Sequence, residues 1–242
     1  KDNRADYEGK WDDIGVFIKY GMLSDEKFYD RGKSFCMFKN TEGKFFTIEE
    51  YRKQVEALQT DKNNKVVYLY ASNTDEQHSF ISGARNRGYD VLLMDGVLDS
   101  HFINMLEMKL ENTSFVRVDA DTIDKLIAKD EPSVSVLSEE QQNAVKEIAQ
   151  QQVPAQQYQV MLEHLQPTEA PVIITRPEFM RRMKEMSASG GGGYAFMGDM
   201  PENFQVIVNT NHPLMSRIAA EKDETKKSSD MKTAIAARNR PS

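Results

Sequence analysis

The chain has one cysteine, Cys36, and four histidines scattered among different segments. An intrachain disulfide is therefore impossible, and no Cys/His zinc set can be assembled from such a thin supply. Glycine and proline contribute only 13 and 8 of the 242 residues, too few for a collagen-like or low-complexity chain. Long apolar runs are missing too. The longest, Val66 to Ala71, is six residues, against the ~18 or more that a membrane-spanning helix needs. Positive charge is in deficit, with 31 Lys and Arg against 38 Asp and Glu. A net charge of −7 disfavours general nucleic-acid binding, which draws on basic stripes to neutralise phosphates. The chain opens at Lys1 in a charged stretch with neither an initiator Met nor a signal-peptide core. It is expected to be a piece of a longer, cytoplasmic protein.

What is present is a soluble, mixed pattern. Trp11, Ile14, Phe17 and Ile18 recur at helical spacing as far as Gly21, and an aromatic-rich stretch follows from Phe28 to Phe46. Thr47 followed three residues later by Glu50 reads as a capping box that starts a helix. Residues 65–118 give the clearest order. Apolar runs at 66–71, 89–94 and 114–118 alternate with helix-like segments at 74–87 and 99–110, and Gly88 suits a helix stop. Alternation at this spacing predicts parallel strands with right-handed crossovers. A second capping box, Ser138 to Gln141, opens a polar helix. Strands are expected at 158–162, 172–175 and 204–208, with a helix begun at Pro177 between the last two and a final helix begun at Pro213. The fold class is α/β followed by α+β. A helical lead-in (1–64) precedes a small three-layer α/β/α subdomain (65–128), a linker (129–137), an α+β domain (138–218) and a polar tail (219–242). The tail carries a local basic excess, since 217–242 holds seven basic residues against four acidic, and is expected to be solvated.

No catalytic set emerges. Ser72-Asn73-Thr74-Asp75, at the end of the first strand of the 65–118 block, contains no glycine for close approach to a pyrophosphate. Gly190 to Gly193 follow a helix and lack the Lys-Ser/Thr of a P-loop. Cys36 lies between Phe35 and Met37, the setting of an inert, buried thiol. A small-molecule or nucleotide-binding enzyme using the 65–118 block is thus the alternative function. Adaptable apolar surface is better represented. Thirteen methionines are present, and Phe179, Met183 and Met186 fall on one helix face. Tyr194, Phe196 and Met197 lie beyond the glycine run. Such a stripe is either core or a surface that repacks against differently shaped partners.

Several segments stand in the order found in one family. They are Trp11, Gly15 and Gly21, then Thr47 to Tyr51, Val67 to Tyr70, Gly88 to Leu92, Asp99, Ala170 to Thr175, and Asn209 to Leu214. Over about 5–218 the chain resembles the ninety-kilodalton heat-shock chaperones in their bacterial form. The resemblance implies the distal middle segment followed by the C-terminal domain of a stress-response chaperone that binds unfolded or partly folded clients. It implies that ATP and Mg are held by a domain upstream of Lys1, so this fragment would hydrolyse no ATP and hold no cofactor or metal itself. Phe179, Met183 and Met186 would lie on a helix facing clients, with Tyr194, Phe196, Met197 and, on a middle-segment helix beside His101, Phe102 as further client contacts. The family's homodimer forms through apolar helices beyond the position of Ile218. Here 226–242 is polar, with Met231 and Ile235 its only sizeable apolar residues, and shows no such bundle pattern.

Overall fold

A computed structural model describes residues 3–129, 134–177 and 203–237. The described chain mixes helices with small sheets and divides into two compact units. One comprises Lys1–Asp119 with Lys125–Lys129, and the other Ala120–Asp124 with Asp130–Ser242.

The first unit begins with α1 (Arg4–Gly9), α2 (Trp11–Ser24) and α3 (Glu26–Gly32). Two glycines of α2 are packing sites. A Cβ on Gly15 would stand 2.9 Å from the Trp11 indole, and one on Gly21 2.8 Å from the Phe28 ring. The aromatic-rich stretch then forms a hairpin that the sequence pattern did not announce. Strand β1 (Met37–Lys39) pairs antiparallel with β2 (Phe45–Thr47) across a turn where Gly43 has φ +80°. The Asn40 side chain organises that turn by accepting from the Glu42 and Lys44 amides. Helix α4 (Ile48–Val55) starts at the expected capping box, Thr47 with Glu50.

The central sheet follows with β3 (Val66–Ala71), α5 (His78–Asn86), β4 (Val91–Leu93), α6 (Asp99–Lys109) and β5 (Thr113–Arg117). Its order is β4-β3-β5, all parallel, and every residue of β3 is buried. A central parallel strand covered on both faces reads as a continuous apolar run, as this one does. Helix α5 starts later than the periodicity suggests, because residues 74–77 form a turn held by side chains. Its C-terminal stop is Gly88, with φ +76°. Phe38, Tyr51, Tyr68 and Phe115 meet edge to face at the centre of the core, with centroids 5.0–6.3 Å apart. A short α7 (Ile123–Leu126) ends this stretch.

The second unit has α8 (Glu139–Gln151), β6 (Tyr158–Glu163), β7 (Val172–Thr175), β8 (Phe204–Asn209), α9 (Pro213–Ala220) and α10 (Glu224–Ala236). Its sheet order is β6-β8-β7, with β8 parallel to β6 and antiparallel to β7. Ser138 and Gln141 cap α8 reciprocally, as expected. In the stretch expected as linker, Asn211 accepts from the Val136 amide and donates to the Val134 carbonyl. Leu137, in the same stretch, is buried in the second core.

The expected polar tail is corrected. Residues 224–236 form α10, which Asp223 caps by accepting from the Thr225 and Lys226 amides. Met231, Ala234 and Ile235 are buried with Val145 and Ile218. Three apolar residues at i, i+3 and i+4 make a stripe too narrow to show in composition, yet wide enough to dock one helix face.

Candidate functional site

Helix α2 is apolar on two faces. Trp11, Gly15 and Met22 are buried, with Ile14 and Ile18 packed beside them. Val16, Phe17 and Tyr20 form a second stripe that points to solvent, and Phe17 is 73% exposed. Exposing this much aromatic surface on one helix face is the kind of feature that marks an interaction site.

Beside that stripe lies a cleft of about 320 Å³ between α2, β1 and the loop joining β4 to α6. Val16 stands on one wall and Val97, 88% exposed, on the other. The floor is an ion pair: Lys19 Nζ lies 2.5 Å from Asp99 Oδ1, their side chains only 15% and 4% exposed. The other Asp99 oxygen accepts from the Gly96 amide at 3.0 Å, which fixes the loop carrying Val97. The Lys19 ammonium also sits 5.7 Å from the Phe102 ring centroid. At the rim Lys39 pairs with Asp12 at 2.7 Å and lies over the Phe45 ring. The site thus has a rigid charged base and apolar walls open to solvent. That arrangement can hold an apolar side chain without chemistry upon it.

Phe102 is assigned differently by the structure. Its side chain is fully buried with Ile103 and Leu106 in the first core, so it offers no surface to a client. The aromatic at 102 belongs to an inward stripe at i, i+1 and i+4, whereas His101 beside it is half-exposed. Phe179, Met183, Met186, Tyr194, Phe196 and Met197 lie outside the described residues. The sequence spacing puts Phe17 and Ile18 on one face of α2, but the structure divides them, with Ile18 packed on the core and Phe17 facing solvent. The available signal was an excess of apolar residues over what a single buried stripe needs.

The place where a nucleotide would bind in a parallel sheet, beyond the strand C-termini, is occupied by the chain itself. Gln77 Oε1 accepts from the amides of Ser72 and Asn73, each at 2.9 Å. Its Nε2 donates to Asp119, which is also paired with Arg117. The two amides a phosphate would need are already satisfied, and a carboxylate stands behind them. The residues present do not fit a nucleotide phosphate there. Cys36 is enclosed, and burial pushes its thiol up to about 12, which keeps it from acting as a thiolate nucleophile. Among the described residues no cluster of three or more His, Cys, Asp or Glu could hold a metal ion. Among them, too, no helix is long and apolar enough to cross a membrane.

The family model for Hsp90 protein matches residues 1–237. The chain belongs to the Hsp90 family. The chaperone protein htpG of Bacteroides fragilis strain YCH46 is 43% identical over 227 residues, covering 93% of this chain and 33% of that relative. The chaperone protein HtpG of Porphyromonas gingivalis strain W83 is 41% identical over 228 residues, with coverages of 93% and 33%. A more distant relative, the chaperone protein HtpG of Bdellovibrio bacteriovorus strain HD100, is 23% identical over 243 residues, with coverages of 92% and 36%. This Hsp90-family chain therefore spans about a third of the length of the curated relatives it matches. The order of segments read from Trp11 to Leu214 is that of the family, and its bacterial form is the one matched.

Proposed function

We propose that this chain is the client-engaging middle and C-terminal portion of an ATP-dependent molecular chaperone. In this reading it holds unfolded or partly folded proteins and assists their folding. The observation that carries the reading is the solvent-facing apolar stripe of α2, Val16, Phe17 and Tyr20, beside a cleft walled by Val97. Membership of the Hsp90 family and relatives named as chaperones support it. Phe179, Met183, Met186, Tyr194, Phe196 and Met197 belong to the same proposal as further client contacts. Phe102 does not, because its ring is enclosed. ATP hydrolysis, with its Mg ion, is assigned to the rest of the whole protein. The Gln77 clamp at the end of β3 supports that assignment. The whole protein is proposed to be a cytoplasmic homodimer. Helix α10 uses its apolar stripe within its own unit, so dimerisation would rest on other residues.

The test is a double substitution, Phe17→Ser with Tyr20→Ser, assayed beside Met183→Ser with Met186→Ser for capture of a chemically reduced, unfolded model protein. Each pair is expected to weaken capture several-fold. At the exposed α2 positions stability should move by no more than about 0.5 kcal/mol per substitution. Capture unchanged by the α2 pair would remove that stripe from the client surface.

A further inference from the structure

Strand β6 lies at one edge of the second sheet, and among the described residues no strand pairs with its outer side, where Val160 is buried and Leu162 half-buried. The register fixes which backbone groups face outward. The Phe204 amide donates to the Gln157 carbonyl and the Thr210 amide to the Glu163 carbonyl. Odd-numbered residues of β6 therefore point their backbone groups at β8. Adjacent residues of a strand point theirs to opposite sides. Val160 and Leu162 consequently present both N–H and C=O away from the sheet, roughly 7 Å apart.

Natural sheets usually blunt such an edge with lysine, proline, a bulge or a covering element. Tyr158–Glu163 reads YQVMLE, without lysine or proline, and pairs with β8 in continuous register over six residues. Along this edge runs an open groove of about 580 Å³, whose other wall is one face of α8: Glu139, Gln142, Asn143 and Lys146. These four recur at i, i+3, i+4 and i+7. Glu139 and Lys146 stand roughly 10 Å apart along the helix, too far to pair with each other, and among the described residues neither has another ionic partner. The groove therefore offers ladder hydrogen bonds on one side and uncommitted charges of both signs on the other.

We infer that the outer edge of β6 accepts an extended segment of a client polypeptide as an added strand, with the 139/142/143/146 face of α8 as its outer wall. The inference rests on the proposed client-binding function and adds a site read through backbone rather than side chains. Unpaired amides and carbonyls at strand spacing select an extended backbone, and main-chain pairing supplies affinity with little regard to sequence. That tolerance suits unfolded chains of any composition. Glu139 and Lys146 then favour segments that carry a charge of opposite sign near each end.

The test uses the whole chain and a fluorescent ten-residue peptide of alternating Thr and Val. Its counterpart is N-methylated at two successive central residues, which blocks both peptide edges. The unmethylated peptide should bind at least tenfold more tightly. In hydrogen exchange it should slow the amides of Val160 and Leu162 and leave that of Met161 unchanged. Leu162→Pro removes one outward N–H without touching the bonds to β8, and should weaken binding at least tenfold. Equal affinity for the two peptides overturns the inference, and because the blocking groups sit on the ligand, that result is independent of how the proline variant folds. A β6-mediated dimer that Leu162→Pro dissociates would also overturn it, since the occupant would then be a second copy. Capture of unfolded protein by the α2 stripe, with both peptides bound alike, would leave the proposed function standing and remove the strand site. No capture of unfolded protein, with the peptides still distinguished, would do the reverse.

Discussion

The two units solve the same packing problem with different materials. The first core is aromatic, with Phe38, Tyr51, Tyr68 and Phe115 in mutual edge-to-face contact. It also encloses polar groups. The Tyr51 hydroxyl donates to Asp90 at 3.2 Å, Asn40 donates to the other Asp90 oxygen at 2.9 Å, and the Asp90 amide donates to Gln59 at 2.6 Å. The second core is built from Val, Ile, Leu, Ala and Met, including Val160, Val206, Val208, Met215 and Met231. Its one ring pair among the described residues, Tyr158 with Phe204, is stacked at 5.3 Å on half-buried residues. Oriented rings and satisfied polar contacts specify a single arrangement, whereas flexible aliphatic side chains tolerate repacking. The first unit should therefore behave as a fixed frame and the second as the more forgiving one.

Phe38→Ala should break this contrast most sharply. Phe38 is nearly inaccessible and touches three other rings, so its loss should cost about 3–5 kcal/mol. Trp11 is the chain's single tryptophan and lies in that same core. Its fluorescence during a urea titration reports the first unit, while far-UV circular dichroism reports both. The fluorescence transition should move to lower urea, and a midpoint within error of the parent would mean that the rings are not what holds this unit.

Met231→Ala probes the second core through α10. Met231 is fully buried there, and the truncation should cost about 2–5 kcal/mol, nearer the lower end if neighbouring aliphatics close the gap. The loss should appear in circular dichroism and leave the Trp11 transition in place. If the substitution changed neither signal, α10 would not be a stable part of this core.

A smaller effect is expected from Asp90. Burial holds its carboxyl above the ordinary value of 3.8, opposed by the bonds from Asn40 and Tyr51. A raised acid keeps its proton in the folded state after the unfolded chain has released it, so this group's contribution to stability declines as pH rises from 3.8 through the raised value. Asp90→Asn removes that slope. The stability difference between parent and variant should thus be larger near pH 4 than near pH 7, read from urea melts at each pH. A difference that grows with pH instead would show that hydrogen bonding, not burial, dominates at Asp90.

The same contrast explains what the sequence disclosed. Elements announced by local chemistry were legible: the buried run of β3, the caps at Thr47 and Ser138, and the stop at Gly88. The hairpin of β1 and β2 was not, because three-residue strands, half of whose residues are aromatic, give neither alternation nor helical period. Helix α10 was hidden for the opposite reason, a polar composition masking three well-spaced apolar residues. At the site, the apolar character of α2 was visible but not its division into two faces. That division depends on which residues Trp11 and the β4–α6 loop cover, a tertiary fact. The order of family segments was legible because it needs no geometry at all.

The Gln77 clamp has a wider meaning. A parallel sheet with helical crossovers carries an inherent vacancy at its strand ends, and many such folds were recruited to chemistry by placing a ligand there. Here the vacancy is closed by a side chain six residues beyond the end of the strand, tied in turn to Asp119. The architecture is kept, and the position beyond β3 is filled by the chain itself. A subdomain of this kind can serve as a lever or a spacer in a larger machine, with an amide side chain and a carboxylate filling the place at its strand ends.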